Sequence, residues 1–398
     1  MHIRNGLVFT EKGDFEKLDI EIENGIIVDL ESRSESDSDT VYSDRLSTQD
    51  IDASGKYVVP GFIDIHTHGC VGYDTSTADT CGLKAMAVYQ RSSGVLYFCP
   101  TSMTLSRQKL EIAFDTVKKA MESHEENEAT ILGINMEGPF VSANRLGAQR
   151  HEYVTKPDFS VFESLQKISG NNIRLITIAP EENGAMELIE NILEKYANVV
   201  VSLGHTDADY ETCTEAFKRG ANHVTHLFNA MPPLNHRKPG LIGAAADKEN
   251  AFAEFICDGV HIHPSVIRRI YDIFGADRLI LISDSMEGTG MPDGEYELGG
   301  QIVIKTSNLA VLKRNENETE TAVKGDSNTV LAGSVTNLFQ CFKNAVSFGI
   351  PLEAAVKMAT INPAKSIGLD SKIGVIGIGR EAKLLLLDES LNIRKIIG

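Results

Sequence analysis

Apolar positions fall into two regimes along the chain. Up to about residue 58 they alternate or come in short runs, so residues 2 to 9 and 18 to 30 read as strands. Asn24-Gly25, between EIE and IIVDL, is a hairpin signal, because a tight turn between strands needs residues that tolerate positive φ. From Pro60 onward, short apolar runs alternate with amphipathic stretches. Eight runs read as strands: FIDIH near 62, VLYFCP near 95, TILGINME near 130, IRLITIAP near 173, VVVSLGH near 199, HVTHLF near 223, FAEFICDG near 252 and RLILISDS near 278. Helical periodicity lies between most of them, for example at 109 to 121 (KLEIAFDTVKKAM) and 209 to 219. Near-continuous apolar strands separated by helices are the mark of a parallel sheet, and eight such units predict an α/β fold of the (β/α)8, TIM-like barrel type.

Beyond Asp284 the pattern changes again. Residues 291 to 330 read as a strand-rich insertion with a polar loop, RNENETETAVKGDSN, followed by helices near 334 to 349 and 352 to 367. The tail, AKLLLLD and then IRKIIG, reads as two more strands. Terminal β segments that flank a barrel can pair with each other. The expected organisation is a barrel over residues 59–368 and a small discontinuous β-sandwich domain made of residues 1–58 and 369–398. The acidic stretch at 31 to 50 reads as a solvated loop of that small domain.

Composition narrows the function classes. Of 398 residues, 42% are hydrophobic and 24% charged, enough for a sizeable core. Lys plus Arg is 38 and Asp plus Glu is 56, a formal charge of −18, and this field repels nucleic acid and anionic membranes. No apolar run approaches the roughly 18 residues of a membrane span. The N-terminus has no secretory h-region, so a cytoplasmic location is expected. The six cysteines are scattered, form no CxxC and read as free thiols.

The chemistry lies where the strand candidates end. Strand one ends in His66-Thr67-His68, strand three in Glu137, strand five in His205, strand six in His226 and strand eight in Asp284. Barrel enzymes build their sites at that end of the strands. Positions i and i+2 of a strand point the same way, so His66 and His68 can grip one ion. Imidazole and carboxylate on separate rigid strands suit a divalent metal such as zinc or iron, with a position left for water. An isolated HxH pair is more often incidental, and a single strand-end acid is more often structural. The complete set in strand order carries the reading. Asp64 shares a strand face with His66 and is a candidate support for it, whereas His223 reads as packed or exposed rather than ligating.

At PGFIDIHTHG, MEGPF, GHTDA, THLFNAMPP and LISDS the chain resembles the amidohydrolase superfamily, and within it the N-acetylglucosamine-6-phosphate deacetylase family. The resemblance runs over essentially the whole chain. It implies a metal-dependent hydrolase that removes the acetyl group from N-acetylglucosamine 6-phosphate; the alternatives are the galactosamine epimer, another amidohydrolase substrate, or a non-catalytic scaffold of the same fold. Strand four ends in Ala179-Pro180, with no lysine of the kind that two-metal relatives carboxylate. Carried over by motif, Glu137, His205 and His226 would hold the principal ion and His66 with His68 a second, giving one or two ions per subunit. Asp284 would be the catalytic acid/base. Ala148, Gln149, Asn229, Ala230, Arg237, His261, Leu331, Ala332 and Gly333 would contact substrate, Arg237 and His261 at the sugar or its phosphate and in some relatives from the neighbouring subunit. A homodimer is therefore expected. Gln149 stands where many relatives have histidine; it keeps a donor and an acceptor but cannot titrate.

Overall fold

A computed structural model describes residues 1–32, 50–313 and 330–398. Among the described residues, eight parallel strands form a nearly closed barrel: Phe62–Thr67, Val95–Ser102, Ile134–Glu137, Ile173–Ile178, Val200–Leu203, His223–Val224, Phe252–Ile256 and Leu279–Ile282. They are called barrel strands 1 to 8 below. Each pairs with its sequential neighbour, in registers such as Leu175 opposite Val200 and Ala253 opposite Leu279. The seam between strands 8 and 1 closes at its upper end, where the Asp284 N–H donates to the His66 carbonyl at 2.9 Å and the His68 N–H to the Ser285 carbonyl at 2.8 Å. That seam already places three site residues side by side.

The helices between strands follow the apolar periodicity and are capped by short polar side chains. Ser106 accepts from the Lys109 N–H at the start of Arg107–Glu122, and Asp209 from the Thr212 N–H at the start of Tyr210–Lys218. Both helices lie where periodicity placed them. Two elements differ from the reading. TILGINME is not one strand: Thr130–Ile131 pairs with strand 2, Gly133 turns the chain at φ 146°, and strand 3 begins at Ile134. The single helix expected at 352 to 367 is two, Leu352–Ala359 and Ile361–Ser366. Pro363 has no N–H to return to the preceding turn, so it ends the first helix and sits in the opening turn of the second.

The terminal segments build a second sheet, in the order Ile393–Ile397, Leu384–Leu387, Tyr57–Pro60, His2–Phe9, Phe15–Glu23 and Ile26–Ser32, with Ile51–Asp52 beside His2–Phe9. Its far edge curls back. The Ile27 N–H donates to Arg380 and the Ala382 N–H to Gly25, so the sheet wraps around its own apolar face. Ile3, Ile20, Ile27, Val58, Leu384 and Leu386 form that core, separate from the barrel core among the described residues. Asn24 and Gly25 make the hairpin turn with φ of 51° and 76°. Most of the acidic loop (33–49) and the polar loop at 314 to 328 lie outside the described residues. The insertion forms a three-stranded antiparallel sheet, Gly294–Leu298, Gln301–Thr306 and Leu309–Leu312, over the upper end of the barrel.

Candidate active site and metal centre

The strand ends are bent in a common way. His205, His226 and Asp284 adopt φ values of 46°, 27° and 48°, in the left-handed region that ordinary residues avoid. Such a residue costs on the order of 1–3 kcal/mol and persists only where its surroundings hold it. Here the turn out of the strand swings three side chains toward the barrel axis. Strand 6 stops at Val224 for the same reason.

Glu137 lies at the centre. Its Oε1 is 2.8 Å from His226 Nε2, 3.2 Å from His205 Nε2 and 3.4 Å from His66 Nε2. Its Oε2 is 3.3 Å from His68 Nε2. Asp284 Oδ1 stands opposite, 3.2 Å from His68 Nε2 and 3.6 Å from His66 Nε2. These groups form two triads that share Glu137: His66, His68 and Glu137, and Glu137, His205 and His226. All six side chains are buried.

The donor set fits a divalent cation. His205 Nδ1 lies 3.0 Å from the Arg145 carbonyl and His68 Nδ1 3.2 Å from the Thr101 carbonyl. A carbonyl can only accept, so these contacts place the ring protons on Nδ1 and leave Nε2 bare toward the centre. His205 and His226 then bring their Nε2 atoms within 3.1 Å of each other. His66 Nε2 is fully buried with no hydrogen-bond partner among the described residues. Lone pairs crowded around a buried carboxylate are stable around a cation, and nitrogen with oxygen ligands on rigid strands suit zinc or iron.

Without a cation at the centre the same imidazoles take up protons, and their charge then tunes the carboxylates strongly. Burial opposes ionisation of Glu137, yet the His205 and His66 rings hold its carboxyl well below the usual range. Burial likewise works to raise the Asp284 carboxyl, but the His68 hydrogen bond and the His66 charge bring it below its ordinary value. Burial would lower His68, while Asp284 and Glu137 push it up to about 9. Asp64, which the reading placed on the His66 face, is raised by burial to about 6. It accepts the Ser283 hydroxyl at 2.5 Å and the His66 N–H at 3.3 Å, tying strand 8 to strand 1 beneath the site.

A cavity of about 260 Å³ opens above the cluster. Its walls include His68, Glu137, Ala148, Gln149, His205, His226, Asn229, Ala230, His261, Asp284, Leu331 and Gly333. Gln149 is buried; its Nε2 donates to Glu137 Oε2 at 2.5 Å and its Oε1 accepts the Thr104 N–H at 2.6 Å. His151, two residues on, is exposed. His261 Nδ1 is 2.7 Å from Asp258 Oδ2. Two expected residues are not brought to the cavity. Arg237 is exposed on the loop after Pro233, where its N–H donates to Asn235 at 3.0 Å, and it does not line the cavity. Ala332 is fully buried, because its N–H pairs with Ala310 of the insertion and only its neighbours Leu331 and Gly333 face the cavity.

Sequence reasoning missed Glu254. Its Oε2 is 2.9 Å from His66 Nδ1 and accepts the His226 N–H at 3.2 Å, and its Oε1 is 3.1 Å from His223 Nε2. His223 is accordingly buried and packed, not a ligand. Burial works against the Glu254 charge, but His66 and His223 bring its carboxyl down to about 2. The signal was present as an acid inside the apolar strand FAEFI. It was overlooked because it stands within the strand rather than at its end.

A model of the amidohydrolase family matches residues 57–397. The N-acetylglucosamine-6-phosphate deacetylase of Lysinibacillus sphaericus is 35% identical over 99% of this chain and 95% of its own length. The N-acetylgalactosamine-6-phosphate deacetylase of Escherichia coli O157:H7 is 29% identical over 99% of this chain and 97% of its own. Among solved structures, an N-acetyl-D-glucosamine-6-phosphate deacetylase mutant from Mycobacterium smegmatis, in complex with N-acetyl-D-glucosamine-6-phosphate, superposes with a TM-score of 0.87 at 29% identity, covering 100% of this chain and 97% of that one. The chain belongs to the amidohydrolase family, in its N-acetylglucosamine-6-phosphate deacetylase group.

Proposed function

We propose that the chain hydrolyses the acetamide of N-acetylglucosamine 6-phosphate, giving glucosamine 6-phosphate and acetate. The observation that carries this reading is the convergence of Glu137, His68, His205, His226 and Asp284 on the floor of one cavity, with His66 packed against Glu137 and Asp284. Curated relatives of 35% and 34% identity carry the substrate class in their names.

One or two divalent ions, zinc or iron, would be held by the two triads. An ion so held would act as a Lewis acid, lowering the pKa of a bound water and polarising the acetyl carbonyl. Asp284, whose Oδ1 lies 3.2 Å from His68 Nε2 at the edge of the metal-binding cluster, accepts the proton of the attacking water and returns it to the departing sugar nitrogen. Glu137 and the four imidazoles keep the floor rigid. Gln149 offers a neutral amide at the acetyl end, anchored through Glu137 and Thr104. His261, with Asn229 and Ala230, takes the sugar phosphate end. Arg237, exposed outside the cavity of its own chain, is assigned to the phosphate in the neighbouring protomer of a homodimer. The reaction is placed in the cytoplasm.

Steady-state kcat/KM tests this on the 6-phosphates of N-acetylglucosamine and N-acetylgalactosamine and on unphosphorylated N-acetylglucosamine. The expected ranking puts N-acetylglucosamine 6-phosphate first and the unphosphorylated sugar last. A preference for the galactosamine epimer would move the assignment to the chemistry of the E. coli relative's name. Indifference to the phosphate would remove the roles of His261 and Arg237.

A further inference from the structure

Glu254 touches both triads. It is the one charged side chain of barrel strand 7, Phe252–Ile256, and is 1% exposed. A single oxygen, Oε2, serves His66 Nδ1 at 2.9 Å and the His226 main-chain N–H at 3.2 Å. The two contacts are not equivalent. At His66 the carboxylate meets the imidazole itself; an acceptor there fixes the proton on Nδ1 and turns Nε2, the nitrogen left to ligate, toward Glu137. At His226 it meets only the backbone; that ring's Nδ1 has no partner among the described residues. The second oxygen is held by His223 Nε2 at 3.1 Å, which fixes the rotation of the carboxylate.

We infer that Glu254 is a positioning residue that fixes the His66 ring and thereby sets metal occupancy at the His66–His68–Glu137 triad, leaving the Glu137–His205–His226 triad largely independent of it. The inference rests on the metal-centre reading above. A carboxylate holding the far nitrogen of a ligating histidine is a general means of orienting the ring and raising its basicity, and loss of such a partner weakens metal binding about 10–100-fold.

The neutral variant Glu254→Gln makes the point sharply. An amide has one accepting oxygen, while the site needs acceptors on both sides. If the oxygen stays with His66 and His226, the NH2 faces His223 Nε2, and the His223 proton must move to Nδ1, which is buried without a partner. If the amide flips, its NH2 faces His66 Nδ1 and the ring loses its orientation. Either arrangement strains the group that holds His66.

The test is zinc titration of the metal-free full-length protein, followed by calorimetry and by elemental analysis after dialysis, in wild type, Glu254→Gln and His223→Phe. Of the one or two ions proposed, this inference requires two: wild type is expected to take up two per chain, and a wild type that holds only one overturns it. Glu254→Gln should keep one and bind the other about 10–100-fold more weakly. His223→Phe removes the other partner of Glu254, leaves Oε2 on His66, and should keep both. Should Glu254→Gln fail to fold by circular dichroism, Glu254→Asp replaces it, with the same ion weakened because the shorter side chain draws back from His66. Unchanged uptake in Glu254→Gln overturns the inference, and so does equal weakening of both ions. Loss of the same ion in His223→Phe also overturns it, because a general loosening of the core would then explain the effect. A wild type that takes up no zinc or iron overturns the metal-centre reading itself, a result distinct from all of these.

Discussion

Asp284 faces His68 at 3.2 Å across the barrel seam, beside the bare nitrogens that surround Glu137. On the proposed mechanism its carboxylate carries the proton, so Asp284→Asn should leave the metal content intact and lower kcat by about 10³-fold. Elemental analysis beside single-substrate kinetics checks both halves, and near-normal turnover would remove the proton-transfer role. At the other end of the cavity, burial would lower His261, but Asp258 at 2.7 Å raises it above its ordinary 6.5. The stability from this pair is complete below 6.5 and fades as pH rises through the raised folded value. On the acid side Asp258 lies below its ordinary 3.8, so its share is present above 3.8 and lost as pH falls through the lowered value. With His261 at the phosphate as proposed, its protonated form binds more tightly, so KM for the phosphorylated sugar should climb as pH passes the raised value. In Asp258→Asn that climb should begin at lower pH; coincident KM profiles would contradict the pairing. At this scale His66, His68, Glu137, His205 and His226 were legible because each ends a strand, and strand ends are where barrels place chemistry. Glu254 and the outward position of Arg237 were not, because one depends on packing between strands and the other on the path of a loop.

Gly333 shows how an element rather than a side chain shapes the site. It has φ 61°, and a Cβ there would stand 3.1 Å from the Asp284 carbonyl, which also accepts the Ser334 N–H at 2.7 Å. The insertion fixes this strip through the Leu312–Val330 and Ala332–Ala310 hydrogen bonds, and so sets the wall that faces Asp284. Gly333→Ala should cost about 1 kcal/mol of stability from the left-handed backbone. By shifting Asp284 it should also lower kcat by up to about 10²-fold. Thermal denaturation and kcat measured together check this; full activity with only lower stability would show that the strip does not position Asp284. Apolar runs located the barrel strands well, since strands covered on both faces must be apolar throughout. They did not resolve the break at Gly133 or the stop at Val224, which backbone angles impose while the apolar run continues.

Two hydrophobic cores support the molecule, one inside and around the barrel and one within the curled sheet of the terminal segments. Pairing of the terminal segments, which runs through Tyr57–Pro60 against Leu384–Leu387, was legible as a flanking β pattern. The wrap of the far edge onto residues 379–382 was not, since it rests on main-chain bonds that carry no side-chain signature. A chain of net charge −18 nevertheless concentrates four imidazoles around one buried carboxylate, and that cluster is costly unless a divalent ion neutralises it. Removal of metal by a chelator, followed by measurement of N-acetylglucosamine 6-phosphate deacetylation before and after zinc or iron is restored, tests this most directly. The account predicts a rate at background for the stripped protein and recovery on reconstitution. A stripped protein that deacetylates at its original rate would contradict it.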